Sequence, residues 1–154
     1  MTIAEISTRF SISLAVWLIA TAAIAAEPTG LALNPAVTQA TITETICTAG
    51  WTRTVRPYVA DMKRIKAEML AAVGEPIERR NQYELDHVVP LALGGATIDR
   101  RNLSLQPIGE AREKDAIEVC LSWLVCQGKI ALEDAQSAIF EDWRQAGELC
   151  EEDW

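Results

Sequence analysis

The chain has 154 residues, 14 Lys and Arg against 22 Asp and Glu, and a formal charge of −8. With 49% apolar residues it can pack one domain, and its acid excess argues against a protein that coats nucleic acid with its whole surface, because phosphate contacts rest on Lys and Arg. The excess is uneven: Glu141 to Trp154 holds six acids and one base, whereas Trp51 to Lys129 holds twelve bases and eleven acids.

Residues 1–25 read as a secretory signal. Arg9 supplies the positive charge, Ile12 to Ala20 the apolar run, and Ala23-Ile24-Ala25 the small-x-small cleavage site. The run is shorter than the ~20 residues that span a bilayer, so a cleaved leader is expected in place of an anchor. Residues 26–46 follow as an N-terminal arm, irregular over Glu27 to Gln39. Residues 47–150 form the expected domain, and 151–154 a solvated acidic tail. A periplasmic or secreted location fits the even cysteine count: Cys47, Cys120, Cys126 and Cys150 can form two disulfides in three pairings. No CxxC pair is present, which disfavours a zinc cluster or a redox dithiol. Cys120 and Cys126 lie six apart on a predicted helix and point to different faces. The pairing we favour is Cys47 with Cys126 and Cys120 with Cys150.

Thr41 to Thr48 alternates Ile with Thr and reads as a short extended segment. Tyr58 to Val73 has Val59, Met62, Ile65, Met69 and Val73 at helical spacing, and Gly74 and Pro76 end it. Tyr83 to Val89 is rich in β-formers and reads as a strand. Pro90 to Arg101 is a long turn, and Asn102 to Pro107 alternates as a second strand. Glu110 to Val125 is helical, with Ile117, Cys120, Leu121, Leu124 and Val125 on one face. A last helix spans Leu132 to Gln145, with Leu132, Ala135, Ile139 and Trp143 inward. The fold class expected is α+β, disulfide-bonded, with helices flanking a small strand–strand–helix centre.

The chain has one histidine, His87, directly after Asp86 and ahead of Pro90 and Gly94-Gly95. Histidine is the side chain best suited to move protons near neutral pH. Asp86-His87, Asn102 and then Glu113, Lys114 and Asp115 at the start of the Glu110–Val125 helix stand in the order that a one-metal phosphodiesterase site requires. One acid binds the cation and a neutral histidine activates water. Since neighbours on a strand point to opposite faces, a twist or bulge after Asp86 is expected if both are to serve one site.

Glu84-Leu85-Asp86-His87-Val88-Val89-Pro90-Leu91, Gly94-Gly95, Asn102-Leu103 and Lys114-Asp115 together resemble the HNH endonuclease family. Trp51 to Pro57, Ala135-Gln136, Ile139 and Asp142-Trp143 extend the likeness to small exported bacterial proteins of that type. The resemblance implies a ββα-metal core and a metal-dependent endonuclease that cleaves DNA, or alternatively RNA. It assigns Asp86 to the metal, His87 to the general base, and Asn102 to tying the long loop to the strands. The family's helix position carries a metal-binding His or Asn, and this chain departs there, so Glu113, Asp115 or Glu118 has to substitute, or the metal is held by fewer protein ligands and more water. An all-oxygen set suits Mg²⁺ or Mn²⁺ better than Zn²⁺. Arg53, Arg56 and Lys114 are candidate phosphate contacts, although for Lys114 a helix-surface lysine is the commoner outcome. Trp51 and Trp143 read as core residues. The rival reading is a non-catalytic exported binding protein on the same scaffold, favoured by the missing helix histidine and the net negative charge.

Overall fold

In a computed structural model the residues described are 30–151; the expected signal segment 1–25 and the end of the acidic tail, 152–154, lie outside them. The elements run α1 (Trp51–Val55), α2 (Val59–Ala72), β1 (Tyr83–His87), β2 (Leu103–Pro107), α3 (Ile108–Cys126) and α4 (Leu132–Ala146), with 3₁₀ turns between them. The protein is α+β: a small antiparallel sheet among helices.

β1 and β2 pair without a break from Tyr83↔Pro107 to His87↔Leu103. Pro107 closes β2 and immediately precedes α3, so strand and helix join without a loop. α3 buries Cys120, Leu121, Leu124 and Val125, and α4 lays Leu132, Ala135 and Ile139 against them to form the core. Trp51 and Trp143 pack half-buried on that core, as their sequence context suggested. The α4 spiral breaks at Asp142, whose carboxylate accepts from the Arg144 N–H at 2.9 Å and so starts a fresh turn. Both disulfides follow the favoured pairing, Cys47–Cys126 and Cys120–Cys150.

Three expectations need correction. Thr41 to Thr48 is not extended: it forms a 3₁₀ turn at Ile42–Glu44. Its threonine hydroxyls bond locally, Thr45 to the Thr41 carbonyl at 2.7 Å and Thr48 to that of Thr43 at 2.8 Å, which offers the backbone a turn in place of a ladder. Along α2, Ile65 and Leu70 are buried, whereas Val59 in the first turn and Val73 at the C-cap are exposed. The described part of the arm, 30–46, is no free linker. Leu33 bridges Gly95, Val37 is buried in the core, and Gln39 Oε1 accepts from the Leu132 N–H at 2.7 Å, capping α4.

The long connection between the strands is held by Asn102, which is 1% exposed. Its Oδ1 accepts from Val89 N–H at 2.8 Å, and its Nδ2 donates to Val89 O and Ala96 O, both at 2.9 Å. Gly95 lies against this clamp so closely that a Cβ would stand 1.8 Å from Val89 O and 2.6 Å from Asn102 Nδ2. Asn102→Ala strands a buried N–H and two carbonyls, at about 1–3 kcal/mol for each uncompensated group. The expected loss of stability is therefore several kcal/mol. Gly95→Ala should destabilise comparably, and chemical denaturation of both variants tests this; a change within about 0.5 kcal/mol for either contradicts the clamp.

Candidate active site

A cleft of about 570 Å³ runs along β1, whose outer edge carries no further strand among the described residues. Thr52 and Arg56 close one end, Met62, Lys63 and Lys66 of α2 form one wall, and Asp115 and Glu118 of α3 the other. Glu84, Leu85, Asp86 and His87 all border it. The bulge expected after Asp86 is absent, and the unbroken register corrects that reading. It is not needed: an open strand edge is reached by side chains of both faces, so Asp86 and His87 meet at the rim.

His87 accordingly has one fixed nitrogen. Nε2 lies 2.9 Å from the Thr97 carbonyl. A carbonyl can only accept, so Nε2 carries the proton and Nδ1 is left with its lone pair. No protein group among the described residues bonds Nδ1. Burial pushes the His87 pKa below its usual 6.5, despite the opposing pull of the Thr97 bond and Asp86. The ring is thus neutral at neutral pH, the form a general base needs.

The centre of the site is a cation supplied by the protein. Lys114 is 3% exposed, and its Nζ donates to Asp86 Oδ2 at 2.8 Å, to the His87 carbonyl at 2.8 Å, and to Glu118 Oε1. Burial works to lower the Lys114 pKa, but Glu118 and Asp86 outweigh it and hold the group above its usual value, so the ammonium stays charged. Burial raises Glu118 to about 7, offset only in part by Lys114. Lys114 is therefore neither the surface lysine nor the phosphate contact read from the sequence. It lies on the same helical stripe as Leu121 and Val125, and that stripe faces inward.

The sequence candidates separate as follows. Asp86, His87, Asp115 and Glu118 gather at one cleft. Glu113 does not: it is exposed and turns away from the cleft, one residue off the stripe that Lys114 and Glu118 occupy. Asn102 sits behind the site as the loop clamp. Arg56 borders the cleft, while Arg53 is exposed on α1 beside it. Lys63 and Lys66 were not singled out from the sequence; their signal was the polar side of the α2 pattern. For a divalent cation, two carboxylates converge and each has spent one oxygen on Lys114, leaving Asp86 Oδ1 and Glu118 Oε2. No cluster of three His, Cys, Asp or Glu side chains is close enough to hold a metal among the described residues. The set fits Mg²⁺ or Mn²⁺ held by one or two carboxylates and otherwise by water, and does not fit Zn²⁺.

Lys114→Met leaves two half-buried carboxylates facing each other without a counter-ion. The expected cost is about 3–5 kcal/mol at pH 8, shrinking at pH 5 as Glu118 takes up a proton. Denaturation at the two pH values measures it, and a pH-independent cost contradicts the ion-pair account. His87 and Glu118 should also leave opposite signatures in the metal-free protein. His87 has a lowered folded pKa, so its contribution is present above 6.5 and falls as pH drops below that value. Glu118 has a raised one, so its contribution is present below 4.5 and is lost as pH rises from there through about 7. His87→Gln should flatten the acid-side loss of melting temperature and Glu118→Gln the loss toward neutrality; slopes of the same sign contradict these assignments. No family model, curated protein or solved structure matches this chain.

Proposed function

We propose that the protein is an exported metal-dependent endonuclease that hydrolyses DNA phosphodiester bonds, built on an HNH-like ββα-metal core. The observation that carries this reading is His87: a neutral imidazole whose Nε2–H is tied to Thr97 O, with Nδ1 free beside two converging carboxylates. In this mechanism Nδ1 takes a proton from the attacking water. The Thr97 carbonyl favours the protonated ring that results, because it already accepts from Nε2–H. Asp86 Oδ1 and Glu118 Oε2 are the carboxylate oxygens that would hold Mg²⁺ or Mn²⁺, with Asp115 bordering the same space. That ion, when bound, neutralises phosphate charge and the leaving oxygen. Lys114 keeps the two carboxylates convergent before any ion arrives, and Arg56 and Lys63 face the incoming phosphate. The location is supported by the two disulfides, which persist in oxidising compartments. No helix among the described residues is long and apolar enough to cross a membrane.

The second reading, a non-catalytic binding protein on the same scaffold, is favoured by Lys114, whose ammonium already satisfies the carboxylates. Plasmid cleavage separates the two. With Mg²⁺ or Mn²⁺ the purified protein should nick DNA, and His87→Ala should lower the rate at least about 100-fold, the scale of a lost general base. Its melting temperature should stay near that of the wild type. If no nucleic acid is cleaved with either ion, and calorimetry detects no binding of Mn²⁺, the scaffold reading replaces the nuclease.

A further inference from the structure

Most cations of the central region already have partners. Arg64, Arg79, Arg100, Arg101 and Lys114 are paired with carboxylates, and Lys66 donates to the Tyr83 carbonyl at 2.6 Å. The side chains of Arg53, Arg56 and Lys63 have neither an ion pair nor a hydrogen bond among the described residues; Arg56 and Lys63 line the His87 cleft, and Arg53 is exposed on α1 beside it. The cleft is also lined by Glu84, Asp86, Asp115 and Glu118, but none of these carboxylates is paired with the three cations, whose charges stay available to a ligand.

Tyr58 stands beside the cleft, between Pro57 and Val59, which both line it. The residue is 83% exposed, and its ring and hydroxyl make no hydrogen bond or cation–π contact among the described residues. An aromatic side chain left this open forgoes the burial that usually accounts for its presence. Tyr58 is presented at the first turn of α2, on the helix whose Lys63 reaches the cleft. Unpaired cations interleaved with an open aromatic ring match what an unpaired nucleic-acid strand offers: phosphates along one side and a base with a free face on the other. In a duplex the faces of internal bases are covered by stacking, so Tyr58 would find no partner there.

We infer that the cleft takes single-stranded DNA, with one base stacked on Tyr58 and the adjoining phosphates held by Arg56 and Lys63, with Arg53 beside them. This rests on the nuclease reading for the identity of the polymer, and adds the strand state and the platform. The cleft volume of about 570 Å³ is on the scale of a small-ligand pocket, which an unpaired backbone and base can enter. The phosphate that follows the stacked base is thereby carried toward His87.

The test is binding, measured apart from cleavage. Fluorescence anisotropy of a labelled 12-nucleotide DNA strand, and of its duplex, is followed in EDTA, and the oligonucleotide is recovered intact afterwards. The single strand should bind at least about tenfold tighter than the duplex. Tyr58→Ala should weaken the single strand about tenfold, the scale of one lost stacking contact, and leave the duplex unchanged. Tyr58→Phe should retain tight binding. Lys63→Ala should reduce the slope of log affinity against log salt by about 0.7, one phosphate contact on a single strand. Equal affinity for strand and duplex overturns the inference, and so does a Tyr58→Ala variant that binds the strand like the wild type. Failure of cleavage with these binding results intact overturns the nuclease reading alone; cleavage without a Tyr58 effect overturns this inference alone.

Discussion

The arrangement of the site depends on one buried ammonium. Lys114 Nζ binds a carboxylate from the strand, a carboxylate from its own helix one turn on, and the carbonyl of His87. Without it, Asp86 and Glu118 would repel each other and swing apart. With it, they converge, and the end of β1 is tied to α3 just where the histidine sits. A lysine removed from water is unfavourable unless its charge is met; here two carboxylates outweigh the desolvation. The same ion group therefore sets both the packing of hairpin on helix and the chemistry available to the cleft. It also explains why a site with two acids at its centre does not need a metal ion in order to keep its shape.

Behind that group, Asn102 and Gly95 do for the backbone what Lys114 does for the side chains. The amide satisfies Val89 and Ala96 backbone groups that the loop's short 3₁₀ turns do not reach. The glycine lets the loop come close enough for this to happen. Thr97, carried on the loop so held, then supplies the carbonyl that selects the His87 tautomer. Base, loop and clamp are thus one chain of hydrogen bonds, and the position of Nδ1 is determined from behind.

The strands and the long helices were legible in the sequence because each rests on local periodicity or β-forming composition, whereas helix geometry excluded only a Cys120–Cys126 bond and did not choose between the two remaining pairings. The Thr41–Thr48 segment was not, since alternating Ile and Thr has the period of a strand whether or not the hydroxyls turn back on the backbone. Asp86 and His87 were legible as a pair, but the way they share a site was not: it comes from an open strand edge, a property of the sheet's size and not of any residue. Lys114 was misread because lysines are usually solvated. The available signal was its place on the stripe of Leu121 and Val125, where a charge must be matched by buried partners. Glu113 was included as a ligand because spacing along a helix does not reveal which face is turned inward until the packing of that face is known.

Gln39 reaches across 93 positions to cap α4, and Leu33 bridges Gly95 in the central loop. The earliest part of the domain is thus completed by the latest. Contacts of such sequence separation form slowly and cannot form while the chain is still being made. A domain closed in this way completes its fold only once α4 has joined the segment that carries Gln39. The Cys47–Cys126 link, spanning 79 residues, then fastens the segment before α1 to the end of α3.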